Sequence, residues 1–193
     1  MGKRFYFDVE TTGLDPKEND IIQLAYIIEI DEKIEKSGDI TMQPFNYETV
    51  SDEALQVHGR TLEEIKTYKK PETSYLELLG ILSKYIDKYD KTDKFQPAGY
   101  NVRFDLDFLK EFFIKNGDKY FGSFFNYKTI DPLQILYFLD GIGRIKPLEN
   151  YKLITVCEYF EIEIKAHDAL SDIRATKELI EKLTETIHTT FED

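Results

Sequence analysis

The order of residue patterns predicts an α/β fold in which a mixed sheet is flanked by helices. Apolar residues alternate with a period of two over residues 4–10 and are followed by two further strand-like runs up to residue 43, they recur at helical spacing from Pro71 onward, and one short strand-like run interrupts the helices. The chain has 193 residues, 41% of them apolar, which is enough for a core. No repeat, low-complexity tract or Pro/Gly/Ser-rich linker divides it, so residues 1–193 are expected to form a single domain.

Phe5, Phe7 and Val9 share one face of residues 4–10, with Tyr6, Asp8 and Glu10 on the other, which is the period of a strand. The turn from Thr12 through Pro16 ends it. The β-branched run from Ile21 to Ile30 predicts a second strand, and Ser37-Gly38-Asp39 is expected to turn the chain into a third near Ile40 to Gln43. After Pro71, the residues Tyr75, Leu78, Leu79, Leu82, Ile86 and Tyr89 predict one long amphipathic helix. Phe95 to Tyr100 reads as a short strand. Phe108, Leu109, Phe112 and Phe113 mark a helix that Asn116-Gly117 stops. Pro132 to Leu139 and Leu153 to Phe160 predict shorter helices around the loop from Gly141 to Asn150. Ala169, Ile173, Thr176, Ile180, Leu183 and Ile187 form the stripe of a C-terminal helix.

The composition narrows the function. With 25 Lys and Arg against 37 Asp and Glu, the net charge is −12, which argues against coating long stretches of nucleic acid but leaves a small phosphate site open, because carboxylates that hold cations reverse the local sign. The longest uninterrupted apolar runs are too short to cross a bilayer. The first residues carry neither an export nor a lipidation pattern, so a cytoplasmic location is expected. Cys157 is the single cysteine; it rules out an intrachain disulfide and reads as a buried core thiol.

The chemistry lies in the acidic residues. Asp8 and Glu10, two apart on a strand, project from one side, where they repel each other unless a cation lies between them. The plainer alternative is a solvated strand face; the apolar flanks favour metal ligation. Asp105 stands three, four and seven residues before Phe108, Leu109 and Phe112 and so points inward, whereas Asp107 is off that stripe. Asp172 lies near the start of the last helix. His167, five residues earlier and about 140° around a helix, shares its site only from the entering loop, with Asp168 or a neighbour as cap. Four carboxylates and one histidine from three segments suit two divalent cations, Mg²⁺ or Mn²⁺, clamping a phosphoryl displacement, with the histidine as base. A histidine before a helix also serves as an ordinary local hydrogen-bonding residue.

Phe7-Asp8-Val9-Glu10-Thr11-Thr12-Gly13-Leu14, Asn101-Val102-Arg103-Phe104-Asp105 and His167-Asp168-Ala169-Leu170-Ser171-Asp172 resemble the three motifs of the DEDDh, or DnaQ-like, 3′–5′ exonucleases, in order and spacing. Val57-His58-Gly59 and Ile130-Asp131 also fall at family-like places, and the resemblance is closest to the proofreading epsilon subunit of bacterial replicative polymerases and its stand-alone relatives. It implies a ribonuclease H-like fold, with Asp8, Glu10, Asp105 and Asp172 as metal ligands and His167 as general base. Thr11, Thr12 and Leu14 would line the terminal nucleotide, with His58, Asn101 and Phe104 as further substrate contacts; a local capping or packing role is the alternative for His58.

The resemblance further implies release of nucleoside monophosphates from single-stranded 3′ ends, DNA foremost, in proofreading or repair. Tyr100 departs from the histidine that many relatives place before the asparagine. The tail by which the polymerase subunit docks to its polymerase is expected to be absent or very short. Gln134 to Phe138 superficially resembles a sliding-clamp peptide, but its helical position and apolar character favour a core segment. Arg144, Lys146 and Lys152 are set to flank phosphates or simply to be solvated. Two alternatives stand beside the main reading: an RNA-directed enzyme of the oligoribonuclease or RNase T kind, and a catalytically silent interaction module of the same fold.

Overall fold

Phe5, Phe7 and Val9 are buried on one side of the first strand, and Tyr6 is equally buried on the other, so this strand must lie at the centre of a sheet covered on both faces. The structure, a computed structural model, describes residues 2–165 and 168–191 and bears this out. Strand β1 (Lys3–Thr11) runs antiparallel to β2 (Ile21–Ile30), which pairs antiparallel with β3 (Lys33–Thr41); β4 (Gln96–Ala98) joins the other side of β1 in parallel. The spatial order is β3-β2-β1-β4.

Helices follow as α1 (Asp52–His58), α2 (Leu62–Ile65), α3 (Pro71–Leu82), α4 (Val102–Lys115), α5 (Pro132–Gly141), α6 (Leu153–Tyr159) and α7 (Ala169–Phe191). One sheet face, with Phe5, Phe7, Leu24 and Ile28, is covered by Tyr75, Leu78 and Leu82 of α3 and by Phe108, Leu109, Phe112 and Phe113 of α4. The other face, with Tyr6, Ala25, Ile27 and Ala98, is covered by Ala169 and Ile173 of α7. Behind α7 a third cluster joins Leu136 and Leu139 of α5, Val156 and Cys157 of α6, and Leu179 and Leu183. Cys157 is the buried core thiol expected, its pKa pushed up to about 11, first by burial and then by Asp172.

Several expectations are corrected. The third strand begins at Lys33 and is far longer than foreseen, and the chain reverses at Asp31-Glu32, both at positive φ (51° and 66°), in a two-residue hairpin. Gly38 is not a turn residue. It faces Tyr26 across the ladder, and a Cβ there would come within 3.1 Å of the Tyr26 hydroxyl. The long helix stops at Leu82, where Lys84 and Tyr85 bond back to Ile81 and Leu82 in tighter turns; this returns Ile86 to the core and leaves Tyr89 exposed. The segment from Gln134 to Phe138 is helical as expected but only partly core: Leu136 is fully buried, while Tyr137 and Phe138 are exposed.

Candidate active site

β1 carries Asp8 and Glu10 on the face that bears Tyr6, and their cross-strand neighbours are Ala25 and Gln23. Opposite Asp8, therefore, stands only a methyl group. Beyond Glu10 the register shifts and the chain folds back. The Thr11 hydroxyl donates to Gly13 O (2.7 Å), and Thr12 N donates to Asp20 O (2.9 Å).

β4 delivers the second segment through a three-residue reversal. Gly99 passes so close to β1 that a Cβ would lie 2.9 Å from Phe7 O. Asn101 is left-handed (φ 55°, ψ 40°) and starts α4. Asp131 Oδ1 accepts the Asn101 N–H (3.1 Å) and the Leu133 N–H (3.0 Å), tying the start of α4 to that of α5. One turn into α4, Asp105 is buried and its Oδ1 accepts the Val9 N–H at 3.0 Å, which ties this carboxylate to β1. Asp107 is half-buried and pairs with Arg103 (2.9 Å). Asp172 comes from the first turn of α7, which Asp168 caps by accepting the Ser171 N–H (3.0 Å). His167 lies outside the described residues.

These segments enclose a cavity of about 800 Å³. Asp8, Glu10, Asp105 and Asp172 all line it, together with Thr11, Leu14, His58, Asn101 and Phe104. The Thr12 side chain does not: it is fully buried and its hydroxyl accepts the Asp20 N–H (2.9 Å), which holds the loop. Leu14 is 85% exposed at the rim. The ring of Phe104 stacks obliquely on Phe108, centroids 4.9 Å apart. His58 Nδ1 accepts the Arg60 N–H (3.2 Å), so its neutral ring carries the proton on Nε2, which has no partner among the described residues. Burial and then Arg60 hold its pKa below the ordinary value. Arg144, Lys146 and Lys152 are exposed and do not line the cavity.

Sequence reasoning missed the rest of the α1 wall, where Ser51, Glu53 and Ala54 join Val57 and His58. Its signal was present: Ser51 caps the helix by accepting the Ala54 N–H, and Asp52 and Glu53 complement the helix dipole. Tyr100 also lines the cavity, but its hydroxyl is committed to Tyr151 O at 2.5 Å.

Electrostatics set the character of the site. Burial, then Asp105, Glu10 and Asp172, push the Asp8 carboxyl well above the usual range. Asp105 is pushed up to about 8, by burial most of all and against the hydrogen bond from Val9. Among the described residues no three Asp, Glu, His or Cys side chains form a closed ligand group. Carboxylates that share a cavity without closing on it are what mutual repulsion produces, and an all-oxygen set of this charge suits hard divalent cations.

A family model described as exonuclease, of the RNase T type, matches residues 5–180. The chain belongs to this exonuclease family. The DEDDh, DnaQ-like motifs lie within the matched residues. The chain is 29% identical over 179 residues to a PolC-type DNA polymerase III of Halalkalibacterium halodurans, covering 90% of this chain and 11% of that protein. Its identity to the PolC-type polymerase of Caldanaerobacter subterraneus is 26% over 192 residues, covering 95% and 12%. The chain thus spans about a tenth of these relatives' length.

Among solved structures, E. coli exonuclease I in complex with a dT13 oligonucleotide superposes with a TM-score of 0.78 at 20% identity, covering all of this chain and 43% of that one. The zinc-bound form of the exonuclease I–ssDNA complex gives 0.77 at 19% identity, covering 98% and 43%. These structures share the fold of this chain, the ribonuclease H-like mixed sheet flanked by helices.

Proposed function

We propose that this chain is a metal-dependent 3′–5′ exonuclease that hydrolyses phosphodiester bonds at single-stranded 3′ ends, DNA foremost, and releases nucleoside monophosphates. The observation that carries this reading is the convergence of Asp8, Glu10, Asp105 and Asp172, from three distant segments, on one cavity. The oxygens of these four residues would hold two Mg²⁺ or Mn²⁺ ions, which supply charge stabilisation to the attacking and leaving oxygens of the scissile phosphate. The chain's own residues do the rest. Leu14 and Phe104 offer apolar surface to a terminal base, Thr11 and Asn101 line the same cavity, and His58 presents Nε2–H as a donor. His167 accepts the proton of the attacking water.

The similarity to a tenth of two PolC-type polymerases supports a proofreading or repair role in the cytoplasm beside a polymerase, and residues 1–193 act as one exonuclease domain. The test uses 5′-labelled single-stranded DNA, single-stranded RNA and a mismatched primer-template, each with Mg²⁺, Mn²⁺ or EDTA. Laddering from the 3′ end with either metal and none in EDTA is expected, with DNA cut faster than RNA. Preference for RNA would make the chain an RNA-directed relative, and uncut substrates under every condition would make it a silent module.

A further inference from the structure

Asp172 is the one proposed metal ligand that comes from the last helix. Asp8 and Glu10 belong to β1 and Asp105 is bonded to it through the Val9 N–H, but Asp172 rides on α7, which lies across the sheet. The interface beneath α7 is largely apolar, with Tyr6, Ala25, Ile27 and Ala98 against Ala169 and Ile173 and with Leu170 and Ile180 packed beside them. Such contact is non-directional. A slip of one residue would displace Asp172 by about 1.5 Å and rotate it by about 100°.

A polar cluster interrupts this interface, and the Tyr6 hydroxyl meets Arg4 at its edge. Glu29 of β2 lies on the same sheet face as Ala25 and Ile27 and is 1% exposed. It takes Arg4 Nη1 at 2.8 Å from directly across the ladder on β1, and its other oxygen takes Lys177 Nζ of α7 at 3.1 Å. Lys177 also pairs with Glu181, one turn further along α7. Burial opposes the Lys177 charge, but the bonds to Glu181 and Glu29 outweigh it and hold the ammonium above its ordinary pKa. A bulge in the β2–β3 ladder falls between Ile28 and Glu29, the kind of local irregularity that re-aims a side chain. Lys177 follows Asp172 by five residues, about 7.5 Å along the helix, while Arg4 precedes Asp8 by four on the strand, about 13 Å. The charged fastening and Asp172 therefore sit at two levels of one helix–sheet interface.

We propose that Glu29, bridging Arg4 and Lys177, fixes where α7 lies along the sheet and so places Asp172 opposite Asp8. Glu29 and Lys177 are positioning residues: neither lines the cavity. A buried ion pair contributes little net stability, because desolvation offsets the attraction, but its directionality fixes register where apolar contact does not. The inference rests on the metal-dependent nuclease reading and deepens it by naming what sets the geometry of the fourth ligand.

The test is the double variant Glu29→Met/Lys177→Met, which replaces the pair by apolar side chains; Arg4, partly exposed, turns to solvent. Its melting temperature is expected to equal or exceed that of the wild type. Mn²⁺ affinity of the protein alone, read by calorimetry, is expected to weaken about tenfold, the usual effect of removing a group that orients a ligand. The kcat on single-stranded DNA should fall with it, KM changing less. Lys177→Arg, which keeps the cation, should stay near wild type in both. A pair that served stability alone would move only the melting temperature. A folded double variant with wild-type Mn²⁺ affinity and kcat overturns the proposal. If the double variant does not fold, Glu29→Gln carries the same comparison, and unaltered Mn²⁺ affinity in it overturns the proposal equally. A wild type that neither binds Mn²⁺ nor cleaves defeats the nuclease reading and this inference together, whereas a competent wild type with competent variants defeats the inference alone.

Discussion

Replacing Asp105 by asparagine removes a charge from the interior while leaving an oxygen to accept the Val9 N–H, 3.0 Å away. The cost of that charge follows from its pKa. An ordinary aspartate titrates near 3.8, and Asp105 in the fold is pushed up to about 8, burial being the main cause. The unfolded chain therefore loses its proton first as pH rises. Below pH 4 both states are protonated and no penalty exists; between about 4 and 8 the penalty grows; above 8 it is complete. At about 1.4 kcal/mol per pH unit, the full penalty is on the order of 5 kcal/mol, and at pH 5 roughly 2 kcal/mol. For a domain of this size, about 2–4 °C per kcal/mol converts the first figure to roughly 10–20 °C.

Asp105→Asn is thus expected to melt well above the wild type at pH 9 in EDTA, and the gap should narrow sharply at pH 5. Saturating Mg²⁺ at pH 9 should close the gap from the other side by stabilising the wild type, whose carboxylates then face a cation, while the variant has lost activity. Thermal melts at the two pH values, with EDTA and with Mg²⁺, measure all four cases. A wild type whose EDTA melting point falls no further than the variant's between pH 5 and pH 9 would refute the reasoning.

Three further outcomes are expected. Gly99→Ala drives a methyl against Phe7 O at 2.9 Å, a backbone atom that cannot rotate away; stability should drop by about 1–3 kcal/mol, and Mg²⁺ half-saturation should rise as β4 is pushed off β1, both readable by melts and metal titration. His167→Ala should lower kcat roughly a hundred- to ten-thousand-fold at saturating metal while sparing Mn²⁺ affinity, and a wild-type kcat with the same pH profile would make the histidine structural. Two bound divalent ions would change the net charge from −12 to −12 + 4 = −8, still too acidic for a long electrostatic track, so affinity for oligonucleotides should level off after a few nucleotides instead of climbing with length.

The parts of the fold and site written in side-chain periodicity were legible in the sequence. The two-residue period of β1 placed Asp8 and Glu10 on one face, and the spacing of Phe108, Leu109 and Phe112 turned Asp105 inward, because both follow from geometry that every strand and helix shares. What periodicity does not carry was lost. Gly38 looks like a turn because glycine is common in turns, yet here it makes room for the Tyr26 ring; the real reversal uses Asp31 and Glu32, which give no glycine signal. Thr12 sits inside a motif whose neighbours line the cavity, but its hydroxyl is spent on the Asp20 N–H, a long-range fold-back that local sequence does not announce. The α1 wall was readable from Ser51 and the acidic residues after it, a capping signal in a helix too short to show a stripe.

β3 forms the outer margin of the sheet and, among the described residues, no further strand pairs with it. A margin of this kind is a template on which another copy of the chain can add by backbone hydrogen bonds alone. Lys33, Glu35, Lys36 and Asp39 distribute charge of both signs along it, with Ile34 the one strongly exposed aliphatic side chain. Solubility is then guarded at this margin by electrostatics instead of by shape. Near 1 M salt the screening length shrinks to about 3 Å, and that guard weakens first where β3 lies open. Concentrated salt is therefore the condition under which copies of this acidic chain would begin to stack strand on strand.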